Sequence, residues 1–225
     1  MKLLAIETSE IACSAALWMN GEVSERFDLV PRRHSELLLP MIDEVLADTG
    51  VVKSQLDAIA FSRGPGSFTG VRIATGVAQG LGFALDCPLV PVSTLAGFAQ
   101  GCYRRLQSAR VAVALDARMQ EVYWGAYRSD DNGVMRLSGE ERCCAPAEVN
   151  LDESDWSACG SGWEAYSTDL KKACDGQLGQ YDEEPHCHAK DIAMLAATLL
   201  REDGGVPAEQ AMPVYLRNQV AHVKA

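Results

Sequence analysis

Two short apolar runs, each ending in a carboxylate and each followed by a turn and a second strand-like run, constrain this chain more than any other feature. The first is Lys2-Leu-Leu-Ala-Ile-Glu7, followed by Cys13 to Trp18. The second is Val111-Ala-Val-Ala-Leu-Asp116, followed by Glu121 to Tyr127. Setting Glu7 on Asp116 aligns the two units without a gap at an offset of 109, close to half of the 225 residues. A unit that recurs at half the chain length implies a duplicated β-hairpin and therefore two related halves. These are placed at residues 1–106 and 107–225, with the last segment able to pack back on the first half.

Between the hairpins, strand and helix signals alternate. Asn20-Gly21 is a tight-turn signal before a strand from Val23 to Leu29. Residues 34–49 carry helical periodicity, 56–62 read as a buried strand, 69–84 as a second helix and 88–92 as a strand. Ser93 caps a third helix that has Leu95, Phe98, Ala99, Cys102 and Leu106 on one face. The second half offers a strand near 156–160, helices over 163–174 and 191–202, and a tail from Met212 to Arg217. Such alternation defines an α/β architecture.

Composition narrows the function. A net charge of −11 opposes an unaided grip on a phosphate backbone, so any nucleic acid is expected to be reached through a partner. The apolar run Leu3 to Ile6 falls far short of a signal-peptide core, and the longest apolar region, Val71 to Leu85, contains Arg72 and Gln79. A soluble cytoplasmic protein with no membrane contact is expected. Eight cysteines occur without a C-x-x-C pair and read as reduced thiols. Only Cys143-Cys144 and His186-Cys187-His188 hint at metal, and neither run has a second spaced pair to complete a zinc site, so no metal is expected.

The loop Arg63-Gly-Pro-Gly-Ser-Phe-Thr-Gly70 lies between a strand and a helix start, where backbone N–H groups can hold an anion. It lacks the lysine of a Walker loop and the third glycine of a dinucleotide fingerprint. Two readings stay open: an anion site using Gly66, Ser67 and Thr69, or a purely structural turn. Glu7, followed by Thr8, and Asp116 end apolar strands, which in a two-halved α/β protein would aim them at a central cleft. There they either hold magnesium or orient a water, or simply cap turns. No G-x-S-x-G elbow is present, and none of His34, His186, His188 and His222 has a histidine at i+4, so no catalytic residue is assigned.

The first two helices are richer in apolar and small residues than a one-sided core requires. Leu37, Leu38, Leu39, Met41, Ile42, Val45 and Leu46 exceed a surface helix's stripe. In the second helix Ala74, Ala78 and Gly82, and again Gly76, Gly80 and Ala84, recur every four residues, allowing close helix approach. Either the surplus packs internally, or it forms a helical interface with a partner through Leu38, Met41, Val45, Ala74, Val77, Ala78 and Leu81. On the second reading the free chain is expected to form a two-fold homodimer through the same layer.

The strings Leu3-Leu-Ala-Ile-Glu-Thr-Ser9, His34-Ser-Glu-Leu-Leu-Leu-Pro40, Arg63 to Arg72, Leu115-Asp-Ala-Arg118 with Glu121-Val-Tyr123, and Pro213-Val-Tyr-Leu-Arg217 resemble the TsaB family in order and spacing. The resemblance implies the fold of actin, Hsp70 and the sugar kinases: two related α/β subdomains, each with a five-stranded sheet, around a cleft. It also implies a role as non-catalytic partner of a larger homologue, TsaD, which carries the metal and transfers the threonylcarbamoyl group to an adenosine beside the tRNA anticodon. A small ATPase, TsaE, completes the set. The implied cofactor content is none for this chain alone, with ATP and metal on the TsaD-like and TsaE-like subunits and tRNA bound only through the complex. TsaD-like proteins carry a helical His-x-x-x-His motif that this sequence lacks. The rival reading is an enzyme, either an M22-type peptidase or an ATP-dependent phosphotransferase, with Gly160-Ser161-Gly162 as the nearest nucleotide-loop candidate.

Overall fold

The computed structural model describes residues 1–217; His222 of the sequence analysis lies outside the described residues. The first apolar run becomes β1 (Lys2–Glu7), which pairs antiparallel with β2 (Ala12–Met19) and parallel with β4 (Ala58–Ser62). With β3 (Glu22–Leu29) and β5 (Leu89–Val92) these strands form a five-stranded sheet of order β3-β2-β1-β4-β5. In the second half β6 (Arg110–Arg118) takes the place of β1. It pairs antiparallel with β7 (Glu121–Ser129) and parallel with β10 (Trp156–Cys159). The short strands β8 (Met135–Leu137) and β11 (Leu178–Tyr181) complete the order β11-β10-β6-β7-β8. Counted outward from the hairpin, both sheets have one connectivity, and β9 (Arg142–Cys144), which also pairs with β7, is an addition to the second.

The duplication is therefore real, but its alignment needs one correction. Leu3 faces Trp18 across the first hairpin, whereas its counterpart Ala112 faces Ala126 rather than Tyr127. The offset is 109 on the first strand and 108 on the return strand. A tighter connection explains this: Arg118, Met119 and Gln120 all have positive φ, and the register slips between Asp116 and Arg118. Strand pairing, not residue identity, sets where the missing residue falls.

Helix α1 (His34–Thr49) and α2 (Phe68–Leu85) cover one face of the first sheet. Between the two sheets lie α3 (Thr94–Leu106) and α6 (Ala189–Asp203), packed on each other. They are exchanged between the halves: α3 rests on β6 and β7, and α6 on β1 and β2. One continuous core thus runs from Leu3 and Ala60 through Ile192 and Phe98 to Val113 and Tyr127. The predicted helix over 163–174 is instead two short ones, α4 (Gly162–Ala165) and α5 (Ser167–Ala173), on the outer face of the second sheet. Beyond α6 the chain returns along the first half, where Gln79 donates to the Ala211 carbonyl at 2.8 Å and the Val214 amide to the Arg63 carbonyl at 2.7 Å. No helix among the described residues is long and apolar enough to cross a membrane.

This packing corrects the interface residues named from periodicity. Leu38, Met41, Val45, Ala74 and Ala78 are buried against their own sheet, and Val77 and Leu81 are half-buried beside them. A sheet takes the most apolar stripe of each helix first, because that burial is available within one chain. What remains outward is Leu39 on α1 and the stripe Arg72, Gly76, Gly80 and Phe83 on α2.

Candidate functional site

A cleft of about 1420 Å³ opens between the halves. Its walls come from the turn after β1, the loop leading into α2, the end of β6 and the approach to α6. The loop's glycines are explained by how closely backbone meets backbone there. A Cβ on Gly66 would stand 2.4 Å from the Ser9 carbonyl oxygen, and one on Gly70 would stand 1.9 Å from that of Thr8. The Ser67 amide donates to the Ser9 carbonyl at 2.7 Å, the Thr8 hydroxyl donates to the Gly70 carbonyl at 2.7 Å, and the Ser67 hydroxyl caps α2 by accepting from the Gly70 amide at 3.3 Å. The loop is thus stitched to the end of β1, and its tip, with Ser67 and Thr69, forms part of the cleft wall.

Of the six cleft residues expected from the sequence, the structure brings Gly66, Ser67, Thr69 and Asp116 together. Glu7 and Thr8 are fully buried beneath the cleft and do not line it. Asp116 is occupied as a turn cap: it accepts from the Arg118 amide at 2.7 Å and the Tyr166 hydroxyl at 3.0 Å, and pairs with the Arg118 guanidinium at 2.9 Å. Glu7 Oε1 accepts from the Ser9 amide and hydroxyl, each at 2.5 Å, while Oε2 has no partner among the described residues. Burial pushes the Glu7 carboxyl up to about 7, against the opposing effect of the serine hydroxyls. Glu10 accepts from the Cys187 amide at 2.7 Å and sits 3.4 Å from His186, whose pKa that contact raises. His34 lies 3.1 Å from the Ala12 carbonyl oxygen, a structural contact.

The metal hints from the sequence do not converge. His186 and His188 turn to different carboxylates, Glu10 and Glu25, and Cys187 between them is buried. Cys143 instead lies near Glu121 and Arg217. Among the described residues the one group of potential ligands is Cys102, Cys159 and Asp182, buried and within 4.8 Å of one another. Burial works against the Asp182 charge, but Arg105 beside it holds the carboxyl below its ordinary range, and burial pushes the Cys159 thiol up. An arginine already seated on Asp182 and a Cys159 thiol held protonated do not fit a divalent cation. No spacing rule finds this trio, since its members come from α3, β10 and the turn after β11.

Comparison with known proteins adds family to this geometry. Residues 28–225 match the family model described as TsaD: tRNA N6-adenosine threonylcarbamoyltransferase. The tRNA threonylcarbamoyladenosine biosynthesis protein TsaB of Escherichia coli (strain K12) is 41% identical over 228 residues, covering 100% of this chain and 98% of that protein. Among solved structures, YeaZ from Pseudomonas aeruginosa matches with a TM-score of 0.89 at 46% identity, over 96% of this chain and 99% of that one. The ROK hexokinase from Thermus thermophilus matches with a TM-score of 0.52 at 11% identity, over 89% of this chain and 100% of that one, a likeness of fold alone. Two halves of one connectivity around a cleft, in a sugar-kinase-like fold, carry a sequence that aligns with TsaB from end to end, and the chain belongs to the TsaB (YeaZ) family.

Proposed function

We propose that this chain acts in tRNA threonylcarbamoyladenosine formation as a non-catalytic partner that activates a TsaD-like subunit. Family membership supports the pathway. The observation that carries the partner role is the outward face of α2. Around Gly76 and Gly80 nothing beyond the adjoining residues and backbone of the helix itself lies within 4 Å of where a Cβ would stand, and Phe83 is 84% exposed. A helix face without Cβ atoms lets a second helix approach closely, and an exposed phenylalanine beside it is an anchor that this chain's own core does not use. The charge of −11 suits a subunit that meets tRNA through its partner. ATP and metal then belong to TsaD-like and TsaE-like subunits, and the free chain pairs with its own copy through the same face.

Phe83→Asp is expected to weaken both the homodimer and the complex with a TsaD-like protein by at least about 30-fold, the effect of losing a hot spot worth ~2 kcal/mol. Its fold should be unchanged by circular dichroism, because the side chain is exposed. Sedimentation and co-purification read the result, and wild-type association by a folded variant would remove this reading. The inter-half cleft keeps a phosphotransferase as the competitor. Sustained ATP turnover by the isolated chain would favour that enzyme.

A further inference from the structure

A second cavity, of about 500 Å³, shares no lining residue with the cleft. It lies between β5, an edge strand of the first sheet, and β8, an edge strand of the second, with α3 and α6 beside it. Its walls are mostly apolar, with Val90, Val92, Met135, Leu195 and Leu199 among them. Four charged residues line it; Arg136 is already paired with Asp130 and Glu202 and Asp203 is exposed, which leaves Arg63 and Glu141 as the half-buried charged groups in its wall. Arg63 has a buried Nε without a hydrogen-bond partner, and among the described residues no carboxylate stands within 4.0 Å of its guanidinium. Glu141 is fixed by the hydroxyls of Ser93 and Tyr127, both of which donate to its Oε1. Its Oε2 takes no hydrogen bond among the described residues.

The buried Nε–H of Arg63 without an acceptor is costly, and Glu141 in the same wall keeps one oxygen free of any hydrogen bond among the described residues. These two groups do not neutralise each other by direct contact. A pure anion entering the cavity would satisfy Arg63 but meet the charge of Glu141, and a pure cation would meet the reverse. A ligand with both charges and an apolar body satisfies all three features together. We propose that this cavity binds a free α-amino acid with a large apolar side chain, its carboxylate on Arg63, its ammonium on Glu141 and its side chain against Val90, Leu195 and Leu199. Arginine suits the role because its planar fork takes a carboxylate through two parallel bonds. The volume falls within the range of about 300–1,000 Å³ common to small-ligand sites.

Titration calorimetry on the full chain with L-phenylalanine as probe is the test. Saturable binding below about 1 mM is expected. Wild-type protein should prefer L-phenylalanine by at least about tenfold over 3-phenylpropionate, which lacks the ammonium, and over phenethylamine, which lacks the carboxylate. Arg63→Gln should erase the preference over phenethylamine, and Glu141→Gln the preference over 3-phenylpropionate. The comparison of the three ligands needs no variant, so it decides the matter even if a substitution disturbs folding. Absence of saturable binding, or equal affinity for the three ligands, would overturn the assignment.

Discussion

Gly70→Ala is expected to cost at least about 4 kcal/mol or to prevent folding, a magnitude confined to a few mechanisms such as severe overpacking. The new Cβ would stand 1.9 Å from the Thr8 carbonyl oxygen. That oxygen belongs to fully buried Thr8, the residue directly after β1 in the middle of the first sheet, so it has little room to yield without disturbing the end of that strand. The control lies on the same helix. Gly76→Ala and Gly80→Ala place their Cβ atoms in open space within the single chain, and in protein dilute enough to be monomeric should, by relieving the entropic cost of helical glycine, leave stability unchanged or raise it by about 0.5–1 kcal/mol. Urea denaturation of the three variants separates the cases. A Gly70→Ala midpoint equal to wild type would mean that β1 and α2 do not meet as described, and the cleft wall built on that contact would go with it.

The second large effect concerns Glu7 and pH. Its folded-state pKa of about 7 lies above the ordinary value of 4.5, so the folded protein holds this proton more tightly than the unfolded chain. Stability from this group is greatest below about 4.5, falls as pH rises from there to about 7, and is level above. At about 1.4 kcal/mol per pKa unit the loss across that window is about 3 kcal/mol. Glu7→Gln removes the ionisation. Its amide oxygen can accept from the Ser9 amide and hydroxyl as Oε1 does, and its NH₂ can donate to the Ser62 hydroxyl, which stands beside it without a partner. The variant should therefore be more stable than wild type at pH 8, by up to about 3 kcal/mol, and close to it at pH 4. Unfolding curves at the two pH values check this. A constant difference between the proteins would show that Glu7 does not titrate in the window.

Much of the fold was legible because it rests on local pattern. The apolar runs ending at Glu7 and Asp116 became the central strands of two sheets with one connectivity, and His34–Thr49 appeared as a helix at the expected boundaries. The three-residue strands β8 and β9 were not legible, since so short a segment carries too few alternations to register. The break between α4 and α5 was missed for a related reason: Tyr166, with φ of −127°, interrupts a run whose composition is helical throughout. In the candidate site, Gly66, Ser67, Thr69 and Asp116 were found from their places at strand and helix ends. Glu7 ends its strand in the same way yet points into the interior, because Ser9 and the loop residues close over it.

By itself the sequence determined two hairpins about half a chain apart, an α/β alternation, and a helix over 69–84 bearing two stripes of small residues. It could not determine which stripe faces the sheet, because Ala74, Ala78 and Gly82 and Gly76, Gly80 and Ala84 have the same spacing, and periodicity defines a stripe without orienting it. Tertiary packing decided that. Gly82 lies against Leu89 of the adjacent strand, too close for a Cβ, so the first stripe turned inward and left Gly76, Gly80 and Phe83 to the outside. Tertiary structure alone likewise brought Arg63 and Glu141 to one cavity, because they sit 78 positions apart and come together only through the exchange of α3 and α6 between the two sheets.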